Sequence, residues 1–403
     1  MVDVAAGTTS ARANTELRSL TLISIAHWVS HYYVLVLPML YPFLRERLGV
    51  DFIALGLSMS VFGLVSGVTQ VPVGYIVDRF GARRVLIIGL LLGSFSFVLL
   101  GLHLSYAWLI TCAALLGLAN SVYHPSDYAL LAANIEGSRI GRAFSIHTFS
   151  GFFGGAVAPA TVAALVATVG GQGALIASGA AGLIAALLLI AIPIPEAGTS
   201  SAGGADGQGG RVNVWTPAII VLTIFFLLLG LSNSGISTFG VVALMNGYNL
   251  LFSTANVALT GYLAASAVGV LAGGFLADRT RRHGQVAVVC FAVNAVIVVA
   301  IALTTPHAVV LITALLIAGF LSGVIAPSRD MMVRKAAPPG AAGRAFGIVS
   351  TGFNMSGIIS PLMFGFVMDQ NMPRLVFGLA GLFMVLTVLL TILTDRKPDM
   401  EDA

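Results

Sequence analysis

Four histidines interrupt long apolar stretches in the first half of the chain. His27 and His31 lie four residues apart, so on a helix they share one face, and His124 and His147 lie in two later stretches. An unperturbed imidazole titrates near pH 6.5 and can carry a proton or accept a hydrogen bond from a polar ligand. For any one of them alone, a structural histidine is the alternative. We predict a cavity for protons and a polar substrate that these histidines line together with Tyr32, Tyr33, Asn120, Tyr123, Asn233, Arg329 and Asn354.

The composition indicates which solvent surrounds these residues. Of the 403 residues 58% are hydrophobic and 9% are charged, against about 25% charged in an ordinary soluble domain. So few charges cannot cover a water-exposed surface, and this excludes a soluble protein. The net charge is +4, but the basic residues lie between the apolar runs rather than in one patch, so we expect no nucleic-acid partner. Cys112 and Cys290 both fall inside apolar stretches, which excludes a disulfide framework.

The order of the apolar runs predicts the architecture. Six runs precede a Gly- and Ser-rich stretch and six follow it, and each is long enough for a membrane-spanning helix of about 20 residues. We predict an all-α integral membrane protein with twelve transmembrane helices in two six-helix bundles. Most of the 20 Lys and Arg residues fall on the side of both termini, which is therefore cytoplasmic. The predicted parts are a cytoplasmic leader at 1–17, an N-terminal bundle at 18–194, a linker at 195–214, a C-terminal bundle at 215–394 and a cytoplasmic tail at 395–403.

The two halves repeat each other in sequence. The segment from Gly141 to Pro159 matches the segment from Gly343 to Pro361 at an offset of 202 residues. An even number of helices separates the copies, so the repeats have parallel topology, related by an axis along the membrane normal. The halves are therefore expected to be pseudo-symmetric.

The same offset places an acid and a base at equivalent positions inside spanning helices. Asp127 corresponds to Arg329, and Asp330 follows Arg329. A charge at the bilayer centre costs at least about 2.5 to 3.5 kcal/mol, so charged residues in spanning helices point to function. Two interpretations stay open. Asp127 and Arg329 face each other as a cytoplasmic gate pair, or Arg329 pairs with Asp330 or extends to the cytoplasmic water.

A charged loop motif follows the second helix of each half. The first copy reads Gly74-x-x-x-Asp78-Arg79-x-Gly81-x-Arg83-Arg84, and the second keeps Gly274, Asp278 and Arg279. Two correctly placed copies, with six helices on each side of a linker, resemble the major facilitator superfamily. The resemblance implies transport by alternating access. The predicted cytoplasmic gate comprises Asp78, Arg79, Arg83, Arg84, Asp127, Asp278, Arg279 and Asp330; an arginine cluster that only sets topology is the alternative.

Two further segments resemble the fosmidomycin resistance branch of that superfamily. The first helix carries a similar histidine-containing segment, Ala26 to Leu44, and the fourth carries the His124-Pro125 pair. The chain differs from that branch at His31, where the resemblance leads us to expect an acidic residue. It also has Ala158-Pro159 where drug/proton antiporters usually have Gly-Pro. Both differences argue against drug export.

The chain lacks the sequence motifs of ATP-driven pumps and of common hydrolytic enzymes. The chain has no phosphate-binding loop, no H-E-x-x-H, no G-x-S-x-G and no thiol pair, so we expect no enzyme, no cofactor and no metal site. A facilitator-fold sensor or assembly factor would have an added soluble domain or would lack polar cavity residues. We predict a monomeric secondary transporter in a bacterial inner membrane, with a small-molecule substrate, protons and the lipid bilayer as its partners. The charge balance favours an anionic or zwitterionic solute. A multidrug or fosmidomycin-like efflux antiporter is the alternative.

Overall fold

The protein is helical throughout the described residues. The computed structural model describes residues 2–196, 214–280, 282–338 and 341–395, and none of these lies in a β-strand. The helices are α1 (Val2–Met39), α2 (Tyr41–Leu48), α3 (Phe52–Phe80), α4 (Ala82–Leu102), α5 (Tyr106–Asn134), α6 (Ile140–Ala191), α7 (Pro217–Tyr248), α8 (Phe252–Arg279), α9 (His283–Leu303), α10 (Ala308–Ala336), α11 (Ala342–Asp369) and α12 (Leu375–Asp395). The predicted all-α class is confirmed.

Eleven of these helices are long and apolar enough to cross a membrane, and one of them is long enough to cross it twice. Helix α6 has 52 residues, whereas one crossing takes about 20. Gly170 divides it, because its φ of 71° and ψ of 173° are not helical. Counting both parts gives the twelve predicted crossings, and α2, with 8 residues, is too short to be one. Of the predicted linker and tail, residues 197–213 and 396–403 lie outside the described residues.

The chain divides into two compact units. One comprises Met1–Leu37 and Val61–Ala205, and the other comprises Pro38–Ser60 and Asp206–Ala403. In the first unit α4 packs against α5 and α6. In the second unit α8 packs against α10, α7 against α11, and α9 against α12.

Helix packing repeats between the units at equivalent glycines. In the first unit, a Cβ atom at Gly117 of α5 would overlap the backbone carbonyl of Phe62 in α3. In the second unit, one at Gly319 of α10 would overlap the carbonyl of Tyr262 in α8. Gly117 and Gly319 are 202 residues apart, as the sequence repeat requires. Small residues let membrane helices approach to backbone contact, and the repeat has kept that contact in both halves.

Helix α3 begins on a carboxylate of the second unit. Both carboxylate oxygens of Asp369, at the end of α11, accept backbone hydrogen bonds, from Phe52 N at 2.9 Å and from Ile53 N at 2.8 Å. The Ser60 hydroxyl donates to the carbonyl of Ile358, at 2.7 Å, and Ile358 precedes Asp369 in the same helix α11. An acid at a helix N-terminus satisfies N–H groups that have no partner within the helix. The first two turns of α3 are therefore attached to α11.

Candidate functional site

Four histidines of the first half lie around one buried carboxylate. Asp127 of α5 is fully buried, and His147 of α6 and His27 of α1 are 1% and 4% exposed. His147 Nε2 lies 3.0 Å from Asp127 Oδ2, and His27 Nδ1 lies 3.4 Å from the same oxygen. The His27 ring is 4.7 Å from the His31 ring and 5.4 Å from the His124 ring, between centroids. We call these five residues the His–Asp cluster.

Glycine on α6 brings α1 close enough to form the cluster. A Cβ atom at Gly151 would lie 2.5 Å from His27 Nε2 and 2.8 Å from His31 Cδ2. One turn further, a Cβ atom at Gly154 would overlap the carbonyl of Trp28. A larger residue at Gly154 would meet the α1 backbone and push it away from α6, and one at Gly151 would displace the His27 and His31 rings.

Several polar atoms of the cluster have no hydrogen-bond partner among the described residues. They are His27 Nδ1, His124 Nδ1, Asp127 Oδ1 and the neighbouring hydroxyl of Tyr123. Buried polar groups in proteins are nearly always hydrogen-bonded, so a group of unsatisfied atoms at one place is unusual. The cluster therefore has unused capacity to bind water or protons.

The cluster also has the ligand types of a metal site, but its ring geometry disfavours one. His27, Asp127 and His147 each offer one ligand atom, all within 4.8 Å of one another. However, the His27 and His147 rings are stacked, with centroids 3.8 Å apart and planes 20° apart. A metal ion lies in the plane of each imidazole that binds it at about 2.0 to 2.1 Å, and two nearly parallel rings cannot both meet that condition. The arrangement fits a shared proton better than a shared ion.

Three other residues of the predicted cavity in this half bond elsewhere. The Tyr32 hydroxyl is 2.9 Å from Ser178 Oγ. The Tyr33 hydroxyl donates to the Gly179 carbonyl, at 3.0 Å, and accepts from Gly182 N. Both tyrosines therefore attach α1 to the second part of α6. The Asn120 amide donates to Ser66 Oγ at 2.9 Å and so joins α5 to α3.

In the second unit, Arg329 of α10 is held between an acid and two aromatic rings. Its Nε atom donates to Asp330 Oδ1 at 2.8 Å, and its Nη2 atom lies 2.8 Å from the same oxygen in an ion pair. Its guanidinium carbon lies 4.9 Å from the centre of the Phe226 ring and 5.2 Å from that of Phe353. Stacking on aromatic faces is a favourable environment for a guanidinium group. The local pair considered from the sequence is thus present, and the pairing of Arg329 with Asp127 stays a prediction.

The second unit also contains a hydrogen-bonded network of neutral polar side chains. The Tyr262 hydroxyl donates to Asn233 Oδ1 at 3.4 Å and lies 3.3 Å from Ser322 Oγ. The Asn294 amide also donates to Ser322, at 2.8 Å. Sequence reasoning identified Asn233 but missed the other three, because single polar residues in apolar runs carry no signal of their partners. Asn354 is exposed.

The charged loop motif has two kinds of member. Asp78, Arg79 and Arg84 are exposed, as are Asp278 and Arg279 in the second copy. Arg83 instead donates to the carbonyls of Leu189 and Ile190 at the end of α6. Gly81 starts α4 with a φ of 94°, a conformation that other residues rarely adopt. Part of this motif therefore stabilises local structure within the first unit.

Sequence reasoning also missed Asp369, whose role in capping α3 is described above. It ends an apolar run and is followed by Gln370 and Asn371, so it looks like an ordinary loop charge. Its partners are more than 300 residues away in sequence. No local pattern could have identified them.

Comparisons with known proteins agree with the fold and the repeat. The sequence profile of the Major Facilitator Superfamily matches residues 23–242 and 222–403. The chain is 25% identical over 401 residues to the fosmidomycin resistance protein of Escherichia coli (strain K12), covering 98% of this chain and 96% of that protein. It is 23% identical over 296 residues to a probable L-galactonate transporter of the same strain, covering 68% of this chain and 65% of the relative.

A solved structure shares the fold. It is a bacterial homolog of the human lysosomal transporter Spinster in an inward-facing, occupied conformation, with a TM-score of 0.77 and 14% identity. It covers 94% of this chain, and this chain covers 96% of it. Together with the twelve crossings, these matches identify a multi-pass membrane protein of a transporter family. The chain belongs to the Major Facilitator Superfamily.

Proposed function

We propose that the protein is a secondary active transporter that moves a small anionic or zwitterionic organic solute by alternating access, coupled to protons. It acts as a monomer in a bacterial inner membrane. The observation that carries the proposal is Asp127, which is fully buried in a membrane-spanning helix with His147 and His27 at its Oδ2 atom. Buried ionisable groups in spanning helices are costly, and they are typical of proton and substrate pathways.

The His–Asp cluster supports proton coupling through its hydrogen bond. Asp127 Oδ2 and His147 Nε2 are 3.0 Å apart, a hydrogen-bond distance at which a proton can transfer between them with little movement of the heavy atoms. His27 and His124 offer further unsatisfied nitrogens that a second proton can occupy. Protonation changes the charge of the bundle formed by α1, α5 and α6, and that change biases one conformation over the other.

Arg329 supports an anionic substrate. A guanidinium group binds carboxylate and phosphonate groups with directed hydrogen bonds, and the Phe226 and Phe353 rings hold it in a fixed orientation. Two relatives point to the same class by name, because fosmidomycin is a phosphonate and L-galactonate is a carboxylate. The exposed residues Asp78, Arg79 and Arg84, with Asp278 and Arg279 in the second copy, are assigned to the cytoplasmic gate.

The test uses purified protein in two steps. A thermal-shift screen against organic anions, phosphonates and cationic drugs selects a ligand, with fosmidomycin and L-galactonate included as probes. Proteoliposomes with a pH-sensitive dye in the lumen then receive that ligand. We expect its addition to move protons across the membrane, in the direction that distinguishes symport from antiport.

The Asp127→Asn variant should still bind the ligand but should move no protons, because the amide keeps the shape of the carboxyl group and cannot exchange its proton. Glu46→Gln is the matched control, since it removes an acid of α2 outside the spanning helices. Ligand flux that is unchanged by a proton gradient, or proton movement in Asp127→Asn equal to wild type, would contradict proton coupling.

A multidrug or fosmidomycin-like efflux antiporter is the second candidate. Its support is the match to the fosmidomycin resistance protein over nearly the whole of both chains. It predicts that cationic drugs stabilise the protein in the screen, or that fosmidomycin drives protons in the opposite direction to its own movement. The anion proposal predicts no stabilisation by cationic drugs.

A further inference from the structure

A second polar region, distant in sequence from the His–Asp cluster, lies at helix ends of the second unit. It is a cavity of about 810 Å³ formed where α7 and α9 begin and where α10 and α12 end. This volume is within the usual range for small-molecule sites. By the predicted topology, these four helix ends lie on the cytoplasmic side of the membrane.

The cavity is basic at its rim. Arg282 and Lys335 line it, and neither forms an ion pair with any residue that the structure describes. His283 also lines it, and its Nδ1 atom is buried without a hydrogen-bond partner among the described residues. The unpaired cations and the unsatisfied imidazole nitrogen call for a negatively charged, hydrogen-bonding group.

Backbone groups of α9 add to this preference. His283 and Gly284, in the first turn of α9, line the cavity, and the first N–H groups of a helix have no partner within it. A helix N-terminus favours anions, and phosphate groups in particular. Here it lies beside two cationic side chains, so the charges reinforce one another.

Part of the cavity lining is apolar. It consists of side chains from α7, α10 and α12, namely Val221, Leu222, Phe225, Met332, Leu390 and Leu393. A free phosphate ion would leave this surface uncovered, whereas a phospholipid would place an acyl chain on it. Trp215, which is 63% exposed and adjoins the cavity residue Thr216, is of a residue type enriched at membrane–water interfaces.

We propose that this cavity binds an anionic phospholipid of the cytoplasmic leaflet. The headgroup phosphate contacts Arg282, Lys335 and the start of α9, and part of an acyl chain lies along α7 and α12. Basic pockets between transmembrane helices on this side of a membrane suit anionic headgroups. The bound lipid connects the ends of four helices of the second unit. The proposal does not depend on which solute is transported.

The experiment uses Trp215 as the reporter. The full-length protein is placed in nanodiscs of phosphatidylcholine that contain a small fraction of brominated lipid, either phosphatidylglycerol or phosphatidylcholine. Bromine quenches tryptophan at short range, and the difference between wild type and Trp215→Phe isolates the signal of Trp215. We expect brominated phosphatidylglycerol to quench Trp215 several times more than its mole fraction predicts, and brominated phosphatidylcholine to quench it in proportion.

Two double variants test the site. Arg282→Gln with Lys335→Gln should reduce the preference for phosphatidylglycerol by about fivefold for each cation removed. Arg142→Gln with Arg334→Gln removes the same charge from exposed cytoplasmic positions that do not line the cavity, and should leave the preference unchanged. An equal loss in both pairs would indicate general surface attraction and overturn the proposal.

Thermal unfolding in detergent provides an independent readout if a variant is poorly folded in nanodiscs. Phosphatidylglycerol should raise the midpoint of wild type more than phosphatidylcholine does, and the Arg282/Lys335 pair should lose that difference. Inorganic phosphate alone should have no effect at millimolar concentration. Stabilisation by phosphate equal to that by phosphatidylglycerol would mean a soluble anion is the ligand, and no lipid preference in either assay would also overturn the proposal.

Discussion

The two halves use one helical scaffold for different chemistry. Adding 202 to the number of each residue in the His–Asp cluster gives its counterpart in the second half. The pairs are His27 with Leu229, His31 with Asn233, His124 with Ala326, Asp127 with Arg329 and His147 with Val349. The first half buries an acid among imidazoles, whereas the second has a base beside an acid and two phenyl rings. Three titratable positions have become apolar. Among the described residues, the buried acid with imidazole partners is therefore found in the first half.

The packing around these positions has changed less than their chemistry. In the first half, Gly154 of α6 approaches the backbone of Trp28 in α1. The equivalent positions in the second half are Gly230 of α7, which corresponds to Trp28, and Ser356 of α11, which corresponds to Gly154. Here Gly230 is the small residue, and it approaches Ser356. The close approach is kept while the small residue has moved to the opposite partner. Contact between two helices constrains their combined size and not the identity of either residue.

The largest expected effect separates proton coupling from binding. Asp127→Asn should abolish proton-driven flux, while Arg329→Asn should abolish ligand-induced stabilisation. The proposed function assigns the protons to the first half and the recognition of the anion to the second. Flux and thermal-shift measurements on both variants check this. Loss of binding in Asp127→Asn together with retained binding in Arg329→Asn would reverse the assignment of the two halves.

An exchange of Asp127 and Arg329 tests whether each of them has its charge partners within its own half. Asp127 has His147 and His27 as partners, and Arg329 has Asp330. The exchange would place an arginine without an acidic partner in the fully buried site of Asp127, and an unpaired buried charge is strongly destabilising. Asp127→Arg combined with Arg329→Asp should therefore be no better than the worse single variant. Flux is compared at matched expression. Partial recovery in the double variant would instead support the gate pair predicted from the repeat.

A milder change at the same position tests the anion role of Arg329. Arg329→Lys keeps the charge but loses the planar geometry, so we expect affinity for the anion to fall by about 10- to 100-fold, as for a lost charged hydrogen bond. Titration of the stabilising ligand by thermal shift measures it. Arg334→Lys makes the same exchange at an exposed position near the end of the same helix, so it is the control and should bind like wild type.

The smallest effect concerns the scaffold that the halves share. Gly117→Ala and Gly319→Ala should each lower stability by about 1 to 3 kcal/mol, because each added methyl group meets a backbone carbonyl. Gly347→Ala is the control, since a Cβ atom there has no neighbour within 4 Å. Thermal unfolding midpoints rank the three. A large loss in only one of the two equivalent variants would show that the halves tolerate strain differently.

Much of the fold could be predicted from the sequence because hydropathy and length act locally. Apolar runs of about 20 residues have the length of a helical crossing, and a helix satisfies all of its backbone groups within its own segment in lipid. The repeat then predicted the two bundles. The exception was α6, in which two predicted helices join through Gly170 into one element. The boundary between two helices depends on the backbone angles of one residue, which composition does not specify.

The site was predicted less completely. Sequence alone identified all five residues of the His–Asp cluster, but assigned Asp127 to the gate and the histidines to the cavity. The 3.0 Å contact between Asp127 and His147 joins α5 to α6, and His27 reaches the same carboxylate because Gly151 and Gly154 allow α1 against α6. The cluster therefore depends on the packing of three helices. Tyr32 and Tyr33 were equally visible in sequence, yet their hydroxyls bond to α6.

The sequence by itself determined that this protein lies in a membrane, crosses it twelve times and places ionisable groups within it. These properties follow from the cost of transferring each residue into lipid, which adds along the chain regardless of tertiary contacts. Only the tertiary structure decided which ionisable groups lie within hydrogen-bond distance of each other, which base pairs with its neighbour, and that Asp369 caps a helix more than 300 residues away. Hydrogen bonds extend over about 3 Å, so they depend on side-chain positions that no pattern of residue types encodes.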